Sequence, residues 1–230
     1  MNYFVHEPID LGYGDLKRVN ENGKRYYQSP EGNKYPSVTT VLSVNSKEAI
    51  LEWRRRVGEE EANRISSFAA SRGTRVHKMI ERYLDNRDDY LEKSNHITRK
   101  NFNTMKPVLD ERIQKVHLQE AKLYSDHLGL AGQVDCIGVF DDKLCVIDFK
   151  TSFKPKKKEW IHNYFMQKTA YAIAFEERTS IPIVNLVTLI VNDIDDKPQV
   201  FKEKRDNWVE PLFETMDKYK SMNDINTWST

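Results

Sequence analysis

Asp135, Asp148 and Lys150 are the residues whose types and spacing could do chemistry. Residues 133–149 read as two strands around a turn at Phe140-Asp141-Asp142-Lys143. If the chain reverses at Asp141-Asp142, Phe140 faces Lys143, Val139 faces Leu144, and Asp135 faces Asp148. Directly opposed residues share one face of a sheet, with Cβ atoms about 4.5–5.5 Å apart. Lys150, two residues beyond Asp148, points to that same face. Two carboxylates converging beside Val134, Ile137, Val146 and Ile147 repel one another and lose hydration, so positive charge must lie between them. Lys150 supplies one charge. A divalent cation answers the geometry better, and Mg²⁺ (or Mn²⁺) suits a site built from one or two carboxylates plus phosphate oxygens. The lysine is then free to orient a water or to stabilise charge developing on a phosphate. The competing reading of these three residues is an ordinary cross-strand salt-bridge network. A three-residue loop would put the two aspartates on opposite faces.

Other elements must position this hairpin. The first 45 residues read as strand and turn: Asn22-Gly23 precedes Arg25-Tyr26-Tyr27, Pro30-Glu31-Gly32-Asn33 is a second turn, and Ser37-Val38-Thr39-Thr40-Val41-Leu42 is β-branched. Asn45 and Glu48 resemble a capping box, so helix is expected from near residue 46, with Ile50, Trp53 and Val57 packing inward. A second helix is expected over about 59–84, its Gly73 implying close approach of another backbone. Phe102, Met105, Leu109, Ile113 and Val116 mark a third, with Pro107 near its first turns. Strand character begins at Leu118. After the hairpin come a helix over about 157–177, a buried strand over 183–191, an edge strand over Gln199–Lys204, and a final helix opened by Asn207 and Glu210. These give an N-terminal hairpin or extension over 1–45 and a main domain over 46–230, forming one globular unit. Cys136 and Cys145 fall on the apolar face opposite the aspartates and read as buried thiols.

The string Gly132-Gln133-Val134-Asp135, followed by Asp148-Phe149-Lys150-Thr151-Ser152, resembles the PD-(D/E)XK nuclease superfamily. Arg72-Gly73-Thr74-Arg75-Val76-His77 upstream and Gln167-x-x-x-Tyr171 downstream resemble the flanking motifs of its RecB-like branch. With Tyr35-Pro36-Ser37-Val38-Thr39-Thr40-Val41-Leu42 and Trp53, they look most like the group that contains the mitochondrial genome maintenance exonucleases and their phage and bacterial relatives. The resemblance implies an α/β, restriction-endonuclease-like core, a central mixed β-sheet flanked by helices on both faces. It implies a metal held by His77, Asp135, Asp148 and the main-chain carbonyl of Phe149, with Lys150 as catalytic lysine and Gln167 and Tyr171 supporting the site. From the residues alone, His77 reads as a hydrogen-bonded core histidine, and Gln167 and Tyr171 as semi-buried packing with polar tips. Glu120 either ligates a second metal or faces solvent.

The chain has 230 residues with 36 Lys+Arg against 35 Asp+Glu, so overall charge does not point to nucleic acid; any such role must come from local arrangement. Lys150, Lys154, Lys156, Lys157 and Lys158 supply such a cluster, and Arg72 and Arg75 add to it. Ser37 and Thr39 could donate to backbone phosphates. Two cysteines are too few for an iron–sulfur cluster held by thiolates alone, so none is expected. No apolar run reaches membrane-span length, and the first residues, with Glu7, Asp10 and Asp15, match neither a secretory signal nor a transit peptide. The expectation is a monomeric, cytoplasmic Mg²⁺-dependent DNA exonuclease of phage or bacterial replication, recombination or repair, acting at free ends and preferring single-stranded DNA. A double-strand exonuclease, a structure-selective endonuclease and a catalytically inactive DNA-binding module are the alternatives.

Overall fold

The computed structural model describes residues 3–92 and 94–222. The chain opens with β1 (Val5–His6), then β2 (Lys17–Glu21), β3 (Lys24–Gln28) and β4 (Lys34–Pro36). The helices α1 (Val38–Leu42), α2 (Lys47–Val57), α3 (Glu59–Leu84) and α4 (His96–Arg112) follow. Next come β5 (Ile113–Ser125), β6 (Leu130–Phe140), β7 (Lys143–Ser152), α5 (His162–Thr179), β8 (Asn185–Asn192), β9 (Gln199–Lys204) and α6 (Val209–Met222). Six strands form a mixed sheet in the order β1-β5-β6-β7-β8-β9; β1 runs parallel to β5 and β7 parallel to β8, and the other pairs are antiparallel. The strands β2, β3 and β4 make a separate antiparallel sheet.

Helices cover both faces of the large sheet. Val76, Ile80, Tyr83 and Leu84 of α3 and Phe102, Met105 and Leu109 of α4 pack on Cys136, Ile147, Phe149 and Leu189. On the other face α1, α5 and α6 bring Val41, Phe175, Leu212 and Met216 onto Val134, Ile137, Val146 and Leu186. The parallel β7–β8 pair needs a crossover, and α5 supplies it. Both cysteines are free, buried thiols in the α3/α4 layer.

Several local expectations change. The β-branched run after Ser37 is helix, not strand. The Ser37 hydroxyl accepts from Thr40 N–H at 3.1 Å and caps α1, and Val38, Val41 and Leu42 are buried along one side. Capping therefore overrides β propensity over this short stretch. Asn45 does not cap α2; its amide donates to Asn163 at 3.1 Å and Thr215 at 3.0 Å instead. No residue of α2 is buried, and the first half of α3 buries only Ala62, so Trp53 is half-buried rather than core. Pro107 lies inside α4, and strand β5 already starts at Ile113, which with Val116 was expected in the helix. A Cβ at Gly73 would meet only Thr151 Oγ1, at 3.8 Å, so no backbone approaches it closely.

Candidate active site

The β6–β7 hairpin turns at Asp141 and Asp142, with φ of 49° and 62°. Two left-handed residues make the tight turn whose twist matches antiparallel strands. Phe140 pairs with Lys143 and Val139 with Leu144, and the ladder continues to Cys136–Ile147. It stops one pair short of Asp135 and Asp148. There the Phe149 N–H donates to the Asp135 carboxylate at 2.9 Å, so a side chain of β6 takes a bond that the ladder no longer offers. On its other side, Asp135 lies in line with Glu120 of β5, between the pairs Gln119–Cys136 and Ala121–Val134. Glu120 has φ 47°, a break in an otherwise extended strand.

Helix α3 brings His77 to this point. Its Nδ1 is 3.6 Å from Asp135 Oδ2, and its ring meets Phe149 edge-on at 6.4 Å between centroids. His77, Glu120 and Asp135 each offer a ligand atom within 4.8 Å of the others. An imidazole and hard carboxylate oxygens form a donor set that Mg²⁺ or Mn²⁺ accepts. Asp148 adds a second observation: its Oδ2 is buried and without a hydrogen bond among the described residues. A buried carboxylate oxygen with no hydrogen bond among the described residues, and with the Lys168 ammonium 3.9 Å away, can still accept a cation.

The electrostatics sort the acids into two groups. Burial first, then the charge of Asp135, pushes Glu120 up to about 7. Burial raises Asp135 as well. Burial also works against Asp148, but the charges of Lys150 and Lys168 outweigh it and hold the carboxyl below its ordinary range. Lys150 Nζ donates to Asp148 Oδ1 at 2.5 Å. Burial alone would lower Lys150, yet Asp148 and Asp135 keep it firmly protonated. The structure thus places Lys150 on Asp148 and leaves Asp135 with His77 and Glu120.

Helix α5 closes the floor. Gln167 donates to Tyr171 Oη at 3.2 Å, and Tyr171 covers Gly132 so closely that an added Cβ would lie 2.6 Å from its ring. Lys168, between them in sequence, is fully buried, donates to Thr188 Oγ1 at 2.5 Å and Tyr164 O at 2.6 Å, and lies 3.9 Å from Asp148 Oδ2. Sequence reasoning missed Lys168. Its signal was a lone lysine inside the apolar run of the helix that carries Gln167 and Tyr171.

The other expected contact residues scatter. Arg72 is buried and pairs with Asp193 at 2.6 Å, so its charge serves the interior of the fold. Arg75 and Lys154 are exposed and Lys156 is half-buried, with its backbone bonded to Gln199 in both directions. Lys158 is paired with Glu203, and Lys157 lies over the Trp160 ring at 5.3 Å. Ser37 is buried as a helix cap, whereas Thr39 is exposed. Ser37, Thr39, Gln133 and Asp135 nevertheless line one small cavity, which Gln167 and Tyr171 also border.

Known proteins are similar to this chain in sequence. Over 159 residues, 64% of the chain, it is 28% identical to mitochondrial genome maintenance exonuclease 1 of Homo sapiens, of which the match covers 46%. The Mus musculus protein is 30% identical over 132 residues, 54% of this chain and 39% of that protein. The match thus spans less than half of either relative. The PD-(D/E)XK nuclease superfamily model matches residues 48–222, from α2 to the end of α6 and across every residue of the cluster. With its six-stranded mixed sheet and the acid and lysine pairs at the open end of the hairpin, the chain belongs to the PD-(D/E)XK nuclease superfamily.

Proposed function

We propose that the chain is a metal-dependent deoxyribonuclease that hydrolyses phosphodiester bonds from free ends and prefers single-stranded DNA. One observation carries this reading: His77, Glu120 and Asp135 converge beside an Asp148–Lys150 pair in a nuclease-superfamily fold. The exonuclease relatives support end-directed action on DNA.

His77, Glu120, Asp135 and Asp148 would hold Mg²⁺ or Mn²⁺, and the main-chain carbonyl of Phe149 is a further donor in this reading. When bound, such an ion polarises a phosphoryl oxygen and lowers the pKa of water. The remaining work falls to the chain's own groups. Lys150, a protonated amine paired with Asp148, would position the reacting water or stabilise the phosphate oxygen that gains charge. Gln167 and Tyr171 hold the floor against Gly132 so that the backbone of β6 stays in place. Arg75, Lys154 and Lys156 provide phosphate contacts at the rim.

We extend the same proposal to a setting in DNA replication, recombination or repair of a bacterial or phage-infected cell, on the support of the motif resemblance to phage and bacterial relatives; a cytoplasmic monomer belongs to the same proposal. Among the described residues no helix is long and apolar enough to cross a membrane. The test is digestion of end-labelled linear and closed-circular single-stranded DNA in Mg²⁺ or EDTA. Mg²⁺-dependent release of label from the linear form with intact circles is expected. Cleaved circles would replace an exonuclease by an endonuclease, and no product with any divalent ion would leave only a binding module.

A further inference from the structure

Arg25 of β3 is a half-buried cation that, among the described residues, neither the ion-pair network nor the metal cluster uses. Its backbone is held firmly: its carbonyl accepts from Ser37 N–H at 2.8 Å, and its N–H donates to Thr40 Oγ1 at 3.3 Å. Its guanidinium, by contrast, makes no hydrogen bond or ion pair among the described residues. A partly desolvated guanidinium without a partner is costly, and it is complemented by an anion that presents oxygen atoms to its fork.

The position says which anion. Arg25 and Tyr27, on one face of β3, line the cavity of about 190 Å³ that also contains Asp135, Glu120 and Tyr171. That volume is below the roughly 300 Å³ at which small-molecule pockets begin, so it takes a fragment of a substrate rather than a whole ligand. Arg25 and Thr39 also line the adjoining cavity of about 510 Å³, which is bordered by Ser43, Lys47 and Tyr219. Lys47 is exposed and has no ion pair among the described residues. The two cavities share Arg25 and Thr39, so a track from the acidic cluster would pass Arg25, Thr39 and Lys47. Acids lie at one end and basic or hydroxyl groups along the rest.

We infer that Arg25 binds a phosphate of the substrate strand beside the reacting bond, and that Thr39 and Lys47 continue the track along α1 and the N-terminal sheet. The inference rests on the reading of the site as a DNA-hydrolysing centre and adds a strand path to it. The phosphate is either an internal phosphodiester or a terminal monophosphate, and both have the same oxygen chemistry.

The test is fluorescence anisotropy of labelled single-stranded oligonucleotides, with and without terminal phosphates, in EDTA over a salt series. Arg25→Gln is expected to weaken binding about tenfold or more, as loss of a charge-assisted contact does. It should also make the slope of log K against log salt shallower by about 0.7, the value for one phosphate contact on a single strand. Arg25→Lys should retain the slope. An equal loss for all oligonucleotides assigns the internal phosphodiester, and a loss confined to phosphorylated ends assigns the terminal group. A folded Arg25→Gln protein with wild-type affinity and slope would overturn the subsite. If Arg25→Gln does not fold, the surface variant Lys47→Gln carries the same slope test, and an unchanged slope there overturns the track. Mg²⁺-dependent cleavage by wild type in parallel separates the two levels. Cleavage with unaltered Arg25→Gln binding refutes the subsite alone, while a wild type that neither binds nor cleaves refutes the underlying reading and the subsite with it.

Discussion

Lys150 and Lys168 both approach Asp148, yet burial gives them different work. Lys150 keeps some exposure, a 2.5 Å bond to Asp148 and a place over the Tyr164 ring, and its ammonium stays charged. Lys168 is sealed in, and desolvation, partly offset by Asp148, brings it down to about 8. Lys168 is thus held as a prop behind Asp148, and the catalytic role is proposed for Lys150. Glu120 makes the proposed cation site pH-sensitive. With its carboxyl near 7, protons compete with the cation below that pH. Calorimetry should show Mn²⁺ affinity falling by up to about tenfold per pH unit below 7, and Glu120→Gln should bind more weakly with a flatter profile. A wild-type profile in Glu120→Gln would remove Glu120 from the ligand set. In Gly132→Ala the new Cβ would lie 2.6 Å from the Tyr171 ring and force it to move, and overpacking of this kind costs about 1–3 kcal/mol. Thermal denaturation checks it, and truncating Tyr171 to Leu should restore part of the loss. The acids of the hairpin were legible because strand periodicity is two and the turn has two residues. Lys168 and Arg25 were not, because a single charge on a helix or strand reads by default as solvated until the opposing layer is known.

At the scale of elements, the hairpin is where sequence and structure agree best. Its register follows from Asp141-Asp142 in left-handed conformation, and all that differs is that the ladder ends before the two aspartates. That gap is what lets Asp135 bond Phe149 N–H and reach His77 on α3. The helix over Glu59–Leu84 was legible from its apolar stripe, but its first half and α2 stand clear of the core, which periodicity does not report. The stretch after Ser37 has the β-branched composition of a strand, but the Ser37 cap and the burial of Val38, Val41 and Leu42 make it helix. The turn makes a stability prediction of its own. Arg112 foremost, then Lys202, holds the Asp141 carboxyl well below its usual range despite partial burial. A depressed carboxyl contributes stability above its unfolded pKa of about 3.9 and loses it as pH falls toward the folded value. Asp141→Asn should thus be less stable than wild type by about 1 kcal/mol at pH 7, with the difference shrinking below pH 4 in denaturant titrations. A constant difference from pH 7 to pH 2 would contradict it.

For the molecule as a whole, the balance of 36 basic against 35 acidic residues conceals a division of labour. Acids gather at the open end of the β6–β7 hairpin, and cations without internal partners line the approaches. The N-terminal residues are built into this plan: β1 joins the main sheet, Ser37 bridges Ala131, and Leu16, Tyr27 and Tyr35 pack with Tyr124. They carry one wall of the cavity that holds Asp135. The family was legible from four short motifs in order. The ligand partnership was less so, since Glu120 joins His77 and Asp135 only through a third strand and a backbone break at φ 47°. The central claim is that this cluster, with Lys150, hydrolyses DNA. Its most direct test compares Mg²⁺-dependent nucleotide release from end-labelled single-stranded DNA by wild type and Lys150→Ala, matched for DNA binding and thermal stability. The account predicts turnover by wild type and a loss of at least about 100-fold in the variant, the scale of one positioned proton donor or charge. Wild-type cleavage by Lys150→Ala would contradict it.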